Sequence, residues 1–157
     1  MPFDEFRFRQ VLGHFASGVT VVTTEHAGQL YGMTVSSFAS LSLNPPLVLI
    51  CIDKALPTHN ALQETQHFAI NILSKQQEHL SRRFATRDLD KFQGVAYTLG
   101  QLNAPLLDGT LAVIECRLHA SYPGGDHTIF VGEVIDAQVG EGVPLLYYRR
   151  GYHALCQ

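Results

Sequence analysis

The chain has 157 residues, 46% of them apolar and 16% charged, which is enough to fold around its own core without a disulfide or metal staple. Eleven basic residues against fourteen acidic ones leave a net charge of −3, excluding the broad basic surface that nucleic acid or an anionic membrane demands. No linker, repeat or low-complexity stretch interrupts the chain, so residues 1–157 read as one domain.

Taken in order, Phe8, Val11, Leu12 and Phe15 recur at i, i+3, i+4, i+7 and predict a first helix with these residues in the core. Asp4 is its expected N-cap and Gly18 its expected stop. Val19–Thr24 is β-branched throughout and predicts a strand. A turn over Glu25–Gln29 leads to a second strand, Leu30–Phe38. Past the Asn44-Pro45-Pro46 breaker, Leu47–Asp53 predicts a strand buried on both faces. Thr58 is the expected N-cap of a short helix to Glu64, and His67–Leu73 the next strand. Ser74 with Gln77 three residues on is a capping-box pattern, predicting a helix to about Phe84. Ala85–Gly94 is charged and reads as loop or helix.

The last third is β. Ala112, Ile114, Cys116, Leu118, Ala120 and Tyr122 alternate as an apolar face against Glu115, Arg117, His119 and Ser121. Pro123–Asp126 predicts a turn, His127–Val139 the returning strand, and Leu145–Tyr148 a last short one. Roughly seven strands with few helices, and no regular βα alternation, predict a mainly β chain: an antiparallel barrel with helices packed outside.

Standard signatures are missing. The sequence has no G-x-G-x-x-G, Walker loop, G-x-S-x-G or H-E-x-x-H, and its eight histidines make no ligand-spaced pair, so no metal site is expected. Cys51, Cys116 and Cys156 lie far apart and fit a reducing compartment. The N-terminus carries Asp4, Glu5, Arg7 and Arg9, unlike a signal peptide, and the longest apolar run is the six residues Leu47–Ile52, short of the ~20 a spanning helix needs. A cytoplasmic protein is expected.

Three stretches carry possible chemistry. Gly32–Phe38 places three hydroxyl residues at a strand end, where they suit a planar heterocycle or a phosphate, or simply close a turn. Pro45–Lys54 delivers a strand to a barrel rim, a common ligand position, or is a core strand with a charged loop. Gly124-Gly125-Asp126-His127-Thr128 is explained as a hairpin except for His127, which is either idle or set over a pocket. Arg149-Arg150 is a candidate for a 2′-phosphate contact or a solvated pair.

Six motifs in order carry a resemblance: Gly32-Met33-Thr34-x-Ser36-Ser37-Phe38, Leu43-x-Pro45-Pro46-Leu47-Val48, Cys51-x-Asp53-Lys54, Phe68-x-x-Asn71-x-Leu73, Leu106-Leu107-x-Gly109 and Gly125-Asp126-His127-Thr128. The sequence resembles the short-chain flavin reductases, reductase partners of two-component flavin monooxygenases, from about Phe6 to Tyr152. The resemblance implies an FMN-binding split β-barrel, a homodimer, FMN or FAD as flavin, and NADH or NADPH as hydride donor. It implies a separate oxygenase that takes the reduced flavin. The competing reading is a non-catalytic flavin-binding or electron-transfer protein on the same barrel. By resemblance, Met33, Thr34, Val35, Ser36 and Ser37 line the flavin ring and ribityl chain. Cys51, Ile52, Asp53 and Lys54 form a second wall, largely through backbone. Thr58 contacts phosphate, Ser81, Arg82 and Phe84 hold phosphate or cover the flavin tail, and His127 sits by the nicotinamide. Many relatives carry Asn where this chain has Ser36, and Ala55-Leu56-Pro57 is more apolar than the Ser-rich loop expected there.

Overall fold

A computed structural model describes residues 2–88 and 90–156. In chain order the described residues form α1 (Glu5–Gly13), β1 (Ser17–Gly18), β2 (Thr20–His26), β3 (Gln29–Val35), β4 (Phe38–Leu43), β5 (Pro46–Asp53), α2 (Pro57–Thr65) and β6 (His67–Ile72). A 3-10 turn, Lys75–Gln77, then leads into α3 (Glu78–Phe84). The remainder is β7 (Tyr97–Leu99), β8 (Pro105–Leu107), β9 (Ala112–Gly124), β10 (His127–Val139), β11 (Leu146–Tyr148) and β12 (Gly151–His153).

Seven strands make one antiparallel sheet in the order β3-β2-β6-β9-β10-β5-β4. Its two edge strands, β3 and β4, are consecutive in the chain and joined only by Ser36 and Ser37. So short a link forces the sheet to curl until its edges meet, which makes the barrel. At the split, the Ser37 hydroxyl donates to Cys51 O (3.0 Å) and accepts from Cys51 N–H (3.3 Å), bridging the link to β5. The mainly β split barrel expected from the sequence is the architecture found.

The barrel is filled by Val22, Val35, Ile50, Ile52, Phe68, Ile70 and Phe130, with Leu62 of α2 among them. A second cluster, Val19, Val21, Leu73, Leu80, Phe84 and Leu145, lies between the outer face of β2 and α3. Strand β2 is therefore buried on both faces, and its threonines remain soluble in that core because each hydroxyl has an acceptor: Val35 O at 2.6 Å, Pro105 O at 2.5 Å and His67 O at 2.8 Å for Thr20, Thr23 and Thr24. Strand β5, expected to be buried on both faces, instead alternates: Val48, Ile50 and Ile52 point inward, while Leu47, Leu49 and Cys51 are half-covered or exposed on a face that no helix overlies.

Several expectations are corrected. Helix α1 keeps the Asp4 cap (Arg7 N–H to Asp4 Oδ1, 3.1 Å) but ends at Gly13 rather than Gly18. None of its residues is buried, and Phe8 is 46% and Phe15 83% exposed, because the stripe faces away from the chain's own body. The long strand expected over Leu30–Phe38 breaks at Ser36-Ser37 into β3 and β4. Helix α2 begins at Pro57 with Leu56 as its cap, so Thr58 lies inside the first turn; proline suits that first position, where its missing N–H costs nothing. The Ser74–Gln77 capping box forms, with Ser74 N–H donating to Gln77 Oε1 at 3.0 Å. On β9, Tyr122 is 56% exposed because the hairpin outruns the barrel, and Glu115 is 2% exposed because the β7–β8 hairpin covers it and Leu102 N–H donates to its carboxylate. The strands number twelve among the described residues; short β1, β7, β8 and β12 carry too little periodicity to be read from sequence. Phe84 is fully buried, and it carries the fold directly to the site.

Candidate active site

A cavity of ≈ 540 Å³ opens between β3, the loop from Asp53 into α2, and the end of α3 with the loop after it. Its size suits a cofactor or small ligand. Of the residues singled out from sequence, Met33, Thr34, Asp53, Thr58 and Phe84 line it. Gly32 makes the floor possible. A Cβ there would lie 2.7 Å from Phe84 Cε1 and 3.1 Å from Phe92 Cζ, so only glycine lets β3 lie against the two rings. Those rings meet edge to face at 5.0 Å, and Phe92 meets Tyr97 the same way at 5.6 Å.

The loop wall is fastened at several points. Lys91 Nζ donates to Gly32 O (3.0 Å) and Phe84 O (3.1 Å), while Arg83 donates to Lys91 O (2.6 Å) and Gln93 O (2.5 Å). Burial pushes the Lys91 ammonium below the usual lysine range, and Asp88 opposes that shift. Two of its three N–H donors are used by the protein and the third has no partner among the described residues, so Lys91 can offer it to a ligand in the cavity it lines. On the opposite wall, Thr34 Oγ1 donates to Ser81 O at 2.6 Å, joining β3 to α3. The start of α2 has no side-chain cap; Pro57 has no N–H and His59 N–H donates to Leu56 O (3.0 Å), so the Thr58 N–H and the positive end of the helix dipole are what the cavity is offered there.

The other expected residues surround this cavity or lie outside it. Val35 and Ile52 are in the barrel core, so their side chains are turned away from the rim. Ser36 is exposed on the split and Ser37 is held against Cys51. Lys54 reaches the β9–β10 turn, with Nζ donating to Gly125 O (2.8 Å) and its amide to Asp126 O (3.0 Å). His127 lies directly across from Asp53 in the β10–β5 pairing. Its Nδ1 is 2.7 Å from Asp126 Oδ1, and that hydrogen bond holds the Asp126 carboxyl below the usual range. Ser81 and Arg82 do not line the cavity. Ser81 is fully buried with its hydroxyl 2.7 Å from the Tyr152 hydroxyl. Arg82 lies on the surface, paired with Glu78 at 2.8 Å and stacked over the Tyr152 ring at 4.8 Å. They fall one turn before Phe84 on α3, on the side facing the β11–β12 hairpin.

The Flavin reductase like domain family matches residues 12–156. The chain belongs to this family. Among curated relatives of this flavin reductase-like chain is the reductase component of a 4-nitrophenol 4-monooxygenase/4-nitrocatechol 2-monooxygenase from Rhodococcus opacus, 49% identical over 148 residues, covering 94% of this chain and 80% of the relative. Another is an NADH-dependent FAD reductase from Streptomyces globisporus, 45% identical over 141 residues, covering 87% and 77%. Among solved structures, the NADH:FAD oxidoreductase SgcE6 of Streptomyces globisporus superposes with a TM-score of 0.93 at 40% identity, covering 100% of this chain and 96% of that one. A second structure of that enzyme, in complex with NAD and FAD fragments, gives 0.92 at 41% identity, covering 98% and 93%.

Sequence reasoning on this flavin reductase-like chain missed Lys91 and Phe92, which line the cavity, and His59 behind it. Gly32 carried a signal, since a glycine inside a strand pattern marks a close approach. Lys91 carried none, because its role depends on the loop folding back on β3. His59 is buried with Nε2 2.7 Å from Thr128 Oγ1, so it anchors the strand residue next to His127.

Proposed function

We propose that the protein is an NAD(P)H-dependent flavin reductase that binds FMN or FAD and supplies reduced flavin to a separate monooxygenase component. The observation that carries the reading is the cavity itself. It has a flat floor where Gly32 meets Phe84, hydroxyl and backbone groups along β3, and an uncapped helix start at one end. Those features fit a planar heterocycle with a phosphate-bearing tail. Flavin, when bound, supplies the redox chemistry by accepting hydride from reduced nicotinamide, so the chain needs no acid–base pair.

The protein's own residues bind and orient. Met33 and Thr34 face the ring, and the 36–37 link and the β5 end from Cys51 to Lys54 offer backbone groups at the rim. Thr58, through its hydroxyl and its N–H at the start of α2, takes the phosphate. Lys91 gives its remaining N–H to an acceptor in the cavity. His127, held by Asp126 and standing across from Asp53, sets the nicotinamide at the mouth through one N–H.

The reading includes a homodimer of single-domain chains. The outward stripe of Phe8 and Leu12, with Phe15 beyond it, is an apolar face that a second copy would cover. The enzyme belongs in the cytoplasm on this reading, where reduced nicotinamide is made and the free thiols of Cys51, Cys116 and Cys156 stay reduced.

Anaerobic mixing of the flavin-loaded protein with NADH or NADPH tests the activity. The visible flavin absorption should bleach within the mixing experiment. Bound flavin left fully oxidised at saturating NADH and NADPH overturns the reading in favour of a flavin-binding protein without a nicotinamide site.

A further inference from the structure

A second concave site lies apart from the flavin cavity. It is a cleft of ≈ 440 Å³ between α1 and the turn joining β11 to β12. Helix α1 has two opposed faces at 3.6 residues per turn. Phe8 and Leu12 mark the outward one, and Val11 lies at the border, on the cleft's edge. Phe6, Arg9, Gln10 and Gly13, at i, i+3, i+4, i+7, line the cleft. The opposite wall is Arg149-Arg150, fastened to the helix end by Arg149 N–H donating to Gly13 O at 2.9 Å.

Arg7, Arg9, Arg149 and Arg150 thus converge on one cleft, half of the chain's eight arginines in a protein of net charge −3. Among the described residues, none of the four has a carboxylate partner. Of the two acids nearest in sequence, Asp4 is engaged as the cap of α1, and Glu5 forms no ion pair among the described residues. Arginine forks match phosphate oxygens two at a time.

The turn adds a second, independent sign. Tyr148 pairs with Gly151, so Arg149 and Arg150 are the two central residues of the hairpin, and their φ values are +47° and +64°. Positive φ at both positions is the geometry that favours Asn-Gly and strains any longer side chain. The hairpin itself gains nothing from two arginines there. Such strain is kept where the side chains serve a ligand. Aromatic surface completes the cleft: Phe6 lines one side, and His14 lies edge-on to Tyr148 at 6.2 Å. Arginine and aromatic faces together suit a purine base as well as its phosphates.

We propose that this cleft is an adenosine-phosphate site, binding the phosphate-bearing adenylate end of a nucleotide outside the flavin cavity. Its evidence is independent of the reductase reading. The test is calorimetric titration of the full-length protein with ADP, adenosine and inorganic pyrophosphate, each at low and at moderate salt. ADP should bind, more tightly than either fragment, and weaken severalfold as salt rises. The variant Arg149→Asn/Arg150→Gly should fold at least as stably as the parent, since it restores the favoured turn dipeptide, while ADP affinity falls at least tenfold and FMN affinity stays unchanged. Arg7→Gln should weaken ADP in the same direction without touching the turn. The proposal is overturned if ADP fails to bind, if adenosine or pyrophosphate binds as tightly as ADP, or if both variants bind ADP like the parent. A loss of FMN bleaching by NADH would instead bear on the reductase reading, which the ADP titration does not use.

Discussion

Strand β2 and helix α1 have opposite fates for their composition. Strand β2 carries three threonines between Thr20 and Thr24, yet that whole stretch is buried on both faces. Helix α1 carries a clean apolar stripe and buries nothing. The difference lies in what each element meets. The barrel interior lies on one side of β2 and α3 with its Leu80 and Phe84 on the other, and every threonine hydroxyl finds a carbonyl. The stripe of α1 meets no buried part of its own chain; Phe8 touches the exposed Phe3 ring at 5.2 Å. Periodicity states which residues share a face; it does not state what covers that face.

The largest expected effect contrasts these regions directly. Phe68→Ala, inside the barrel, should cost about 3–5 kcal/mol through lost burial and a residual cavity, seen as a large fall in denaturant midpoint. Phe15→Ala should leave the midpoint of the isolated chain within about 0.5 kcal/mol, as exposed substitutions do, but lower the apparent mass in light scattering from a dimer toward 17.4 kDa. A dimer untouched by Phe15→Ala and by Leu12→Ser would move the second copy to another face.

Next comes the cavity floor, where the buried cluster meets the site. Gly32→Val drives two methyls into the Phe84 and Phe92 rings. Overpacking of this kind costs about 1–3 kcal/mol, and flavin affinity should fall by more than tenfold in a fluorescence titration. A valine variant that binds flavin normally would show that the ring does not rest on this floor.

A smaller effect is expected at the mouth. His127→Ala should keep flavin affinity and melting temperature but slow anaerobic hydride transfer, or raise the NADH Michaelis constant, severalfold, because a lost positioning contact costs orientation. Unchanged reduction kinetics, with a lowered melting temperature, would mark His127 as a hairpin residue only.

The smallest effect is expected at Arg82. Its guanidinium is raised above its ordinary value chiefly by the Glu78 hydrogen bond, and both partners are on the surface. An exposed pair of this kind contributes little. Arg82→Ala should therefore change FMN affinity by less than about twofold, since the ion pair acts on the helix rather than the ligand. A tenfold loss would restore Arg82 to the phosphate grip that the resemblance implied.

Much of the architecture was legible along the chain because its signals are local. The β9–β10 hairpin was readable from alternation and from Gly125, whose φ of +68° only glycine adopts without strain. The Ser74–Gln77 box was readable because both partners lie within one turn. The burial of Glu115, on the polar side of the β9 alternation, was not legible because its cover, the β7–β8 hairpin, comes from a segment with no period to detect. In the site, the hydroxyl cluster at 34–37 and the helix start near Thr58 could be found by residue type. Lys91 and Phe92 could not, since they reach the cavity only when the loop after α3 folds back on β3.

The sequence by itself determined the longer strands, the hairpin turn at Gly125 and the faces that these elements offer, because these follow from backbone preferences and side-chain alternation over a few residues. It also carried the family resemblance, in six short motifs strung along one chain. Only the tertiary structure decided which faces are covered. It turned Val35 and Ile52 into the core, set Asp53 across from His127, brought Gly32 under two rings, and gathered four arginines from the two ends of the chain into one cleft. Those are contacts between residues tens of positions apart, and their energy exists only once the sheet has curled far enough for its edges to meet at Ser36 and Ser37.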